Sequence, residues 1–205
     1  MHLDEIANLY SNNFKEMGVS AKSVGWPTEA SQLLRFQKLS EVMSDLAEAE
    51  KVTVNDLGCG YGAMFDYLDA YPRISLDKFY GYDISPEMLH AARTQVSDSR
   101  AVWLDKSKLE TKADFSFASG IFNVRFETDT EKWEVYVKEM LDNLNEFSAH
   151  GFAFNILSTY VDWQEPHLYY ADPMSYFHYC KQRYSKKIAL LHDYPLYEWT
   201  LLVKK

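Results

Sequence analysis

This chain offers little material for disulfides, membrane spans or metal clusters. Only two of its 205 residues are cysteine, Cys59 and Cys180, and they lie far apart. That is no disulfide framework, and a reducing cytoplasm is the expected compartment. No run of eighteen apolar residues occurs, so no membrane association is expected. The opening "MHLDEIANLY" lacks the basic flank and apolar stretch of a secretory signal. His167 and His178 have no partners at ligand intervals, so no metal site is expected. Basic charge is also short, with 21 Lys and Arg against 30 Asp and Glu and a net charge of −9. A field of that sign repels phosphate backbones, so no nucleic-acid partner is expected. The nearest basic cluster, Lys181, Arg183, Lys186 and Lys187, reads as a solvated helix end. Repeats, low-complexity tracts and Gly/Ser linkers are absent, which favours one domain over residues 1–205.

What the chain does have is core. Apolar residues make up 47% and aromatics 16%, enough to bury a sizeable interior at this length. Residues 28–49 carry Leu33, Leu34, Phe36, Leu39, Val42, Met43 and Leu46 near a 3.6 period, with Thr28 as N-cap. An apolar strand follows over 52–57, then a glycine-rich loop and a helix through Met64, Phe65 and Leu68. A second strand spans 78–83, and "ISPEMLHAARTQV" starts a helix with Ser85 as cap and Pro86 at its first position. Strands are predicted at 100–104, 113–119 and 151–157, with an amphipathic helix over 129–147 before the last of these. Alternation of strand and helix implies a doubly wound, mostly parallel α/β sheet. After a helix over 173–183, "KIALLH" and "YEWTLLV" are separated only by "DYPL". So short a link makes an antiparallel hairpin, which ends the sheet. The chain therefore divides into an amino-terminal helical lid (1–48), a ligand-binding core (49–157), and a carboxy-terminal helix and hairpin (158–205).

The core's chemistry centres on "VTVNDLGCGYG". Gly58, Gly60 and Gly62 sit at the carboxyl end of the first strand, where open α/β sheets bind ligands. The spacing is G-x-G-x-G, not the G-x-G-x-x-G that seats a pyrophosphate on a helix. Asp56 adds negative charge beside the loop, which suits a cationic ligand group better than a phosphate. Asp83 closes the second strand, where a carboxylate can accept both hydroxyls of a ribose. Ile84 offers an apolar face to an adenine ring, and Asp105, past the third strand, can accept from its amino group. Taken singly, the glycines make a tight turn and the aspartates cap loops; their coincidence at successive strand ends points to a nucleoside.

These residues resemble a known family. "VNDLGCGYG" is similar to the first motif of class I S-adenosylmethionine-dependent methyltransferases, and "YGYDISPEML" to their second. "ADFSFASGIFNV" falls where the fourth strand and its loop belong, and the antiparallel ending matches this Rossmann-like fold. The flanks "VGWPTEASQLLRFQKL" and "LLHDYPLYEWTLLV" resemble a bacterial subgroup of unknown substrate. The resemblance implies S-adenosyl-L-methionine as cofactor. Gly58, Cys59 and Gly60 would pass under its amino-acid part, with Asp56 near the ammonium and Asp83 on the ribose. Ile84 would pack on adenine, and Ala118 and Ser119 would lie near the sulfonium. Trp26 would belong to a lid, and Arg35 would either pair the cofactor carboxylate or stand as a surface charge.

The acceptor is expected to be a small molecule, methylated by in-line displacement. Substrate-facing candidates are the rim residues Asn123 and Arg125, Tyr160 and Asp162, and His192, Asp193 and Tyr194. His192 can serve as a base near neutral pH or simply fix the hairpin. Eight of the fifteen tyrosines fall within 160–197, lining a pocket or covering a sheet edge. Two further readings stay open. One is a cofactor-binding regulatory or partner protein without transfer activity. The other is a nicotinamide-dependent oxidoreductase, which the glycine spacing and Asp56 disfavour.

Overall fold

A computed structural model of the chain describes residues 3–205; residues 1 and 2 of the expected lid lie outside the described residues. The described chain begins with helix α1 (Leu3–Met17), whose Ile6 is buried, followed by a 3-10 turn over Ala21–Val24. Helix α2 (Glu29–Ser40) starts at the predicted cap: the Thr28 side chain accepts from the Ser31 amide at 3.1 Å. The helix expected over 28–49 ends earlier, at Ser40, with one 3-10 turn over Glu41–Met43. The chain must reverse there to enter the sheet, and Ala49 takes a positive φ of 58° while its amide donates to Arg73.

The core alternates as predicted: β1 (Glu50–Leu57), α3 (Ala63–Asp69), β2 (Ile74–Asp83), α4 (Pro86–Gln95), β3 (Ala101–Asp105), β4 (Ala113–Ala118), α5 (Thr130–Phe147) and β5 (Ser148–Ser158). Strand β2 starts four residues ahead of the expected Lys78. Ile74 and Leu76 turn inward while Ser75 and Asp77 face out, and they pair with the exposed start of β1. A two-residue strand, β6 (Tyr170–Ala171), then leads to α6 (Pro173–Arg183), β7 (Lys187–Leu191) and β8 (Glu198–Lys204).

Sheet order is β3-β2-β1-β4-β5-β8-β7, with β6 against β5. Pairings from β3 through β5 are parallel, so the carboxyl ends of β1 to β4 share one edge. The hairpin is antiparallel, and β8 rather than β7 joins β5. Side-chain alternation divides the core into two layers. Phe36, Leu39, Met43, Met64, Phe65 and Leu68 pack with Val54, Phe79, Phe115 and Phe117 on one face. On the other, Trp133, Val137, Met140, Leu141 and Leu144 pack with Phe152, Phe154, Ile156 and Trp199. The tyrosine-rich tail serves this second layer: Tyr169 and Tyr176 are buried with hydroxyls 2.9 Å apart.

Helix α1 is fastened to the core. Ser11 on α1 donates to Glu87 at 2.7 Å and lies 2.9 Å from the Ser85 hydroxyl, while Lys15 pairs with Glu87 at 3.0 Å. These contacts hold α1 beside the start of α4, at the strand-end edge.

Trp199 keys β8 into the second layer. It is fully buried, meets Phe154 edge-on, and donates its indole N–H to Ala171 at 3.0 Å. Trp199→Ala should lose about 3–5 kcal/mol of unfolding free energy, read from urea denaturation; a loss below about 1 kcal/mol would contradict this packing role.

Candidate functional site

A cleft of about 970 Å³, its open mouth included, lies over the carboxyl ends of the parallel strands. Its floor comes from the ends of β1 and β2 and the loops after β1, β2 and β4, and its roof from the amino-terminal segment. From the floor come Asp56, Gly58, Cys59, Gly60, Asp83, Ile84 and Ser119, and from the amino-terminal segment Trp26, so eight expected residues meet in one place.

The floor is stitched together by backbone donors. The amides of Gly58 and Cys59 both donate to the Tyr82 carbonyl, at 2.7 and 3.0 Å. Asp83 then accepts from the Gly60 amide through one oxygen and from the Ser85 amide through the other, each at 2.8 Å. Burial raises its carboxyl above the usual range, and those amides oppose the rise. Gly58 has a φ of 78°, and a Cβ there would sit 2.1 Å from Ile121 Cγ2. At this position the bare backbone therefore accommodates a protein neighbour, the loop after β4.

Asp56 is the unusual group. It is 3% exposed at the cleft floor, and no hydrogen bond reaches its carboxylate among the described residues. Burial, and then the charge of Asp83, pushes it up to about 8. The Ser119 hydroxyl is likewise buried without a partner among the described residues, and Ser119 lines the same cleft. A buried carboxylate and a buried hydroxyl left unpaired in a cleft fit a ligand with a cationic group and further polar atoms. Cys59 is inert by contrast: burial lifts its thiol far above the ordinary value.

A model of the methyltransferase domain matches residues 54–146. The chain is also 47% identical over 160 residues to Rv1506c of Mycobacterium tuberculosis, which carries a methyltransferase designation; the match covers 77% of this chain and 95% of that one. The chain belongs to the class I S-adenosylmethionine-dependent methyltransferases. Solved structures show the same fold at low identity. Magnesium protoporphyrin IX methyltransferase of Synechocystis PCC 6803 is 12% identical with a TM-score of 0.59, over 97% of this chain and 90% of that one. A methyltransferase of Leishmania major is 11% identical with a TM-score of 0.66, over 97% and 82%.

Several expected residues stand elsewhere in this methyltransferase. Arg35 does not line the cleft; it is buried and donates to Glu198 at 2.9 Å and to the Ser31 carbonyl at 2.7 Å. Asp105 is exposed, and Lys106 and Ser107 line the cleft in its stead. Ala118 is fully buried just behind Ser119. None of the seven substrate-facing candidates lines the cleft. Asn123 is buried and accepts from the Leu157 amide at 3.1 Å, a bond that fastens the end of β5. Tyr160 and His192 are exposed, with ring centroids 5.8 Å apart. The chain after β4 is drawn to the segment before β6, where Val124 bridges to Leu168 and Arg125 donates to the carbonyls of Thr128, Pro166 and Leu168.

Other cleft residues escape a motif search. Tyr10 of α1 lines the cleft near Asp83, and burial together with that charge pushes its phenol up to about 12. Leu3, Ile6 and Tyr10 follow helical spacing, the one signal that marks α1 as a cleft wall. Val24, Gly120, Ile121 and Tyr136 are among the other lining residues, and they carry no local signature.

Two outcomes are expected. Gly58→Ala should cost about 1–3 kcal/mol from backbone strain plus a collision with Ile121. Adding Ile121→Ala should recover only the collision, so a double variant with a wild-type urea midpoint would refute the strain. Asp56 carries a raised carboxyl, so its contribution to ligand-free stability is complete below the usual carboxylate range and is lost as pH climbs through about 8. Asp56→Asn should therefore melt higher than wild type at pH 8, by roughly 2–4 °C for each kcal/mol relieved, with the gap closing near pH 4.

Proposed function

We propose that this methyltransferase transfers the S-adenosylmethionine methyl group to a small-molecule acceptor by in-line displacement. The observation that carries the reading is the unpaired, buried Asp56 carboxylate at the floor of a cleft that also presents Asp83. When bound, the cofactor supplies a methyl group already activated by positive sulfur. Asp56 would hold the ammonium, and pairing with a cation would return its carboxyl toward the ionised form. Asp83 would accept from the ribose hydroxyls while keeping its bonds to Gly60 and Ser85, since each carboxylate oxygen has a second lone pair. Ile84 would give the adenine an apolar wall. The loop from Gly58 to Gly60 would lie under the amino-acid part, and Ser119 would stand near the sulfonium with Ala118 behind it.

Among the described residues no histidine lines the cleft. Its protein groups are suited to holding and orienting reactants and to excluding water, with Trp26 and Tyr10 as cover. Alignment of a nucleophile with the carbon–sulfur bond supplies roughly 7–11 kcal/mol without covalent help. The cover and the net charge of −9 favour a small acceptor over a polyanion. On this reading, lid, core and carboxy-terminal segment act as one catalytic domain.

Calorimetry with S-adenosylmethionine, S-adenosylhomocysteine and NAD tests the cofactor assignments. Binding of the first two and indifference to NAD is expected; the reverse would end the reading. Asp83→Ala should weaken S-adenosylhomocysteine about tenfold or more, as loss of hydrogen bonds to a charged acceptor implies, with unchanged circular dichroism. At pH 7, binding should release up to about one proton as Asp56 ionises, measured by repeating the titration in buffers of different ionisation heat. Asp56→Asn should abolish that release.

A further inference from the structure

The ion pair between Arg35 and Glu198 lies apart from the cleft yet touches two of its walls. Arg35 is 5% exposed and Glu198 is fully buried. Such a pair contributes little net stability, because desolvation offsets the attraction; its geometry is the more informative property. From Glu198 the contacts run in two directions. In one, the Asn155 side-chain amide donates to Glu198 at 2.9 Å, and its oxygen accepts from the Gly120 amide at 2.7 Å. In the other, the Arg35 guanidinium sits over the Trp26 ring, its central carbon 3.7 Å from the ring centroid. The two directions meet. The Trp26 ring covers Gly120 so closely that a Cβ there would be 2.4 Å from Trp26 Cη2. Gly120, Asn155, Glu198, Arg35 and Trp26 thus form a closed circuit. It joins the lid to the loop after β4 through strands β5 and β8.

We propose that Glu198 is a positioning residue for methyl transfer: through Asn155 it sets the Gly120 amide beside Ser119, and through Arg35 it sets the Trp26 ring, so that roof and floor close on the cofactor as one unit. The inference rests on the cofactor assignment above and extends it to the lid's fastening. It also accounts for Arg35 standing outside the cleft, since its charge faces Glu198 and its guanidinium supports Trp26.

The test is the release rate of S-adenosylhomocysteine from immobilised full-length protein, measured by surface plasmon resonance for wild type, Trp26→Ala, Glu198→Gln and the double variant. Each single change should speed release by about tenfold, and the double variant should release no faster than the faster single, because both break the same circuit. Effects that multiply to about a hundredfold, or a single change that leaves release unaltered, would overturn the proposal. A Glu198 that only supported the fold would lower the melting temperature without this coupling to Trp26. Where Glu198→Gln does not fold, Arg35→Lys keeps the opposing charge and removes the guanidinium from over the ring; it should speed release and be equally coupled to Trp26→Ala, and additivity there would sink the idea. Wild type that fails to bind the ligand would end the cofactor assignment and the circuit with it. Binding with independent effects would end the circuit alone.

Discussion

The amide of Gly60 donating to Asp83 is the contact on which the site depends. It ties the loop after β1 to the end of β2, and the bonds from Gly58 and Cys59 to the Tyr82 carbonyl act in the same sense. Parallel pairing of the two strands brings Leu57 opposite Tyr82 and delivers the loop to that carboxylate. A one-residue slip would turn every side chain of β1 to the opposite face and carry Asp56 away from the cleft floor. The large core faces of Val54, Phe79 and Phe117 guard against that slip. Packing far below the cleft therefore holds the register that makes the cleft possible.

Asp56 works against the fold that holds it. A carboxylate buried beside Asp83 and without a donor is destabilising while ionised, and its raised proton affinity expresses that conflict. Such an arrangement is common where a site is shaped for a charge it does not itself contain. The surroundings tolerate it because both core layers are closely packed on either side of the sheet. The Lys15–Glu87 ion pair fastening α1 to α4 adds little, being largely solvent-exposed. Its role is placement of Tyr10 and Ile6 over the cleft.

Element order was legible because strands and helices alternate with distinct periods, and the caps at Thr28 and Ser85 are chemically explicit. The glycine run and Asp83 were legible for a similar reason: both lie at strand ends, where sequence position and location in space coincide. Beyond those ends the correspondence fails. Asn123 follows β4 just as Ser119 does, yet the chain folds back within a few residues, and Asn123 fastens β5 instead of facing the cleft. Arg35 is buried although its helix alternates like a surface helix, because Glu198, remote in sequence, supplies its counter-charge. No local pattern announces a partner that distant. The first half of β2 is harder to read for a simpler cause: Asp77 interrupts its apolar character, and a bulge there, where Val52 pairs with Leu76 but Thr53 with Lys78, breaks the two-residue alternation.

The placement of β8 between β5 and β7 also bears on biosynthesis. A ribosome completes β5 long before it makes the strand that pairs beside it. At ordinary elongation speeds the delay is on the order of 2–10 s. Throughout that interval the nascent sheet presents an open edge carrying Phe152, Phe154 and Ile156, with the Trp199 seat unfilled. A half-made edge of that kind invites intermolecular strand pairing. Crowded polysomes translating this message are therefore where holdase chaperones have most to protect, and slow codons between the two strands would lengthen the exposure.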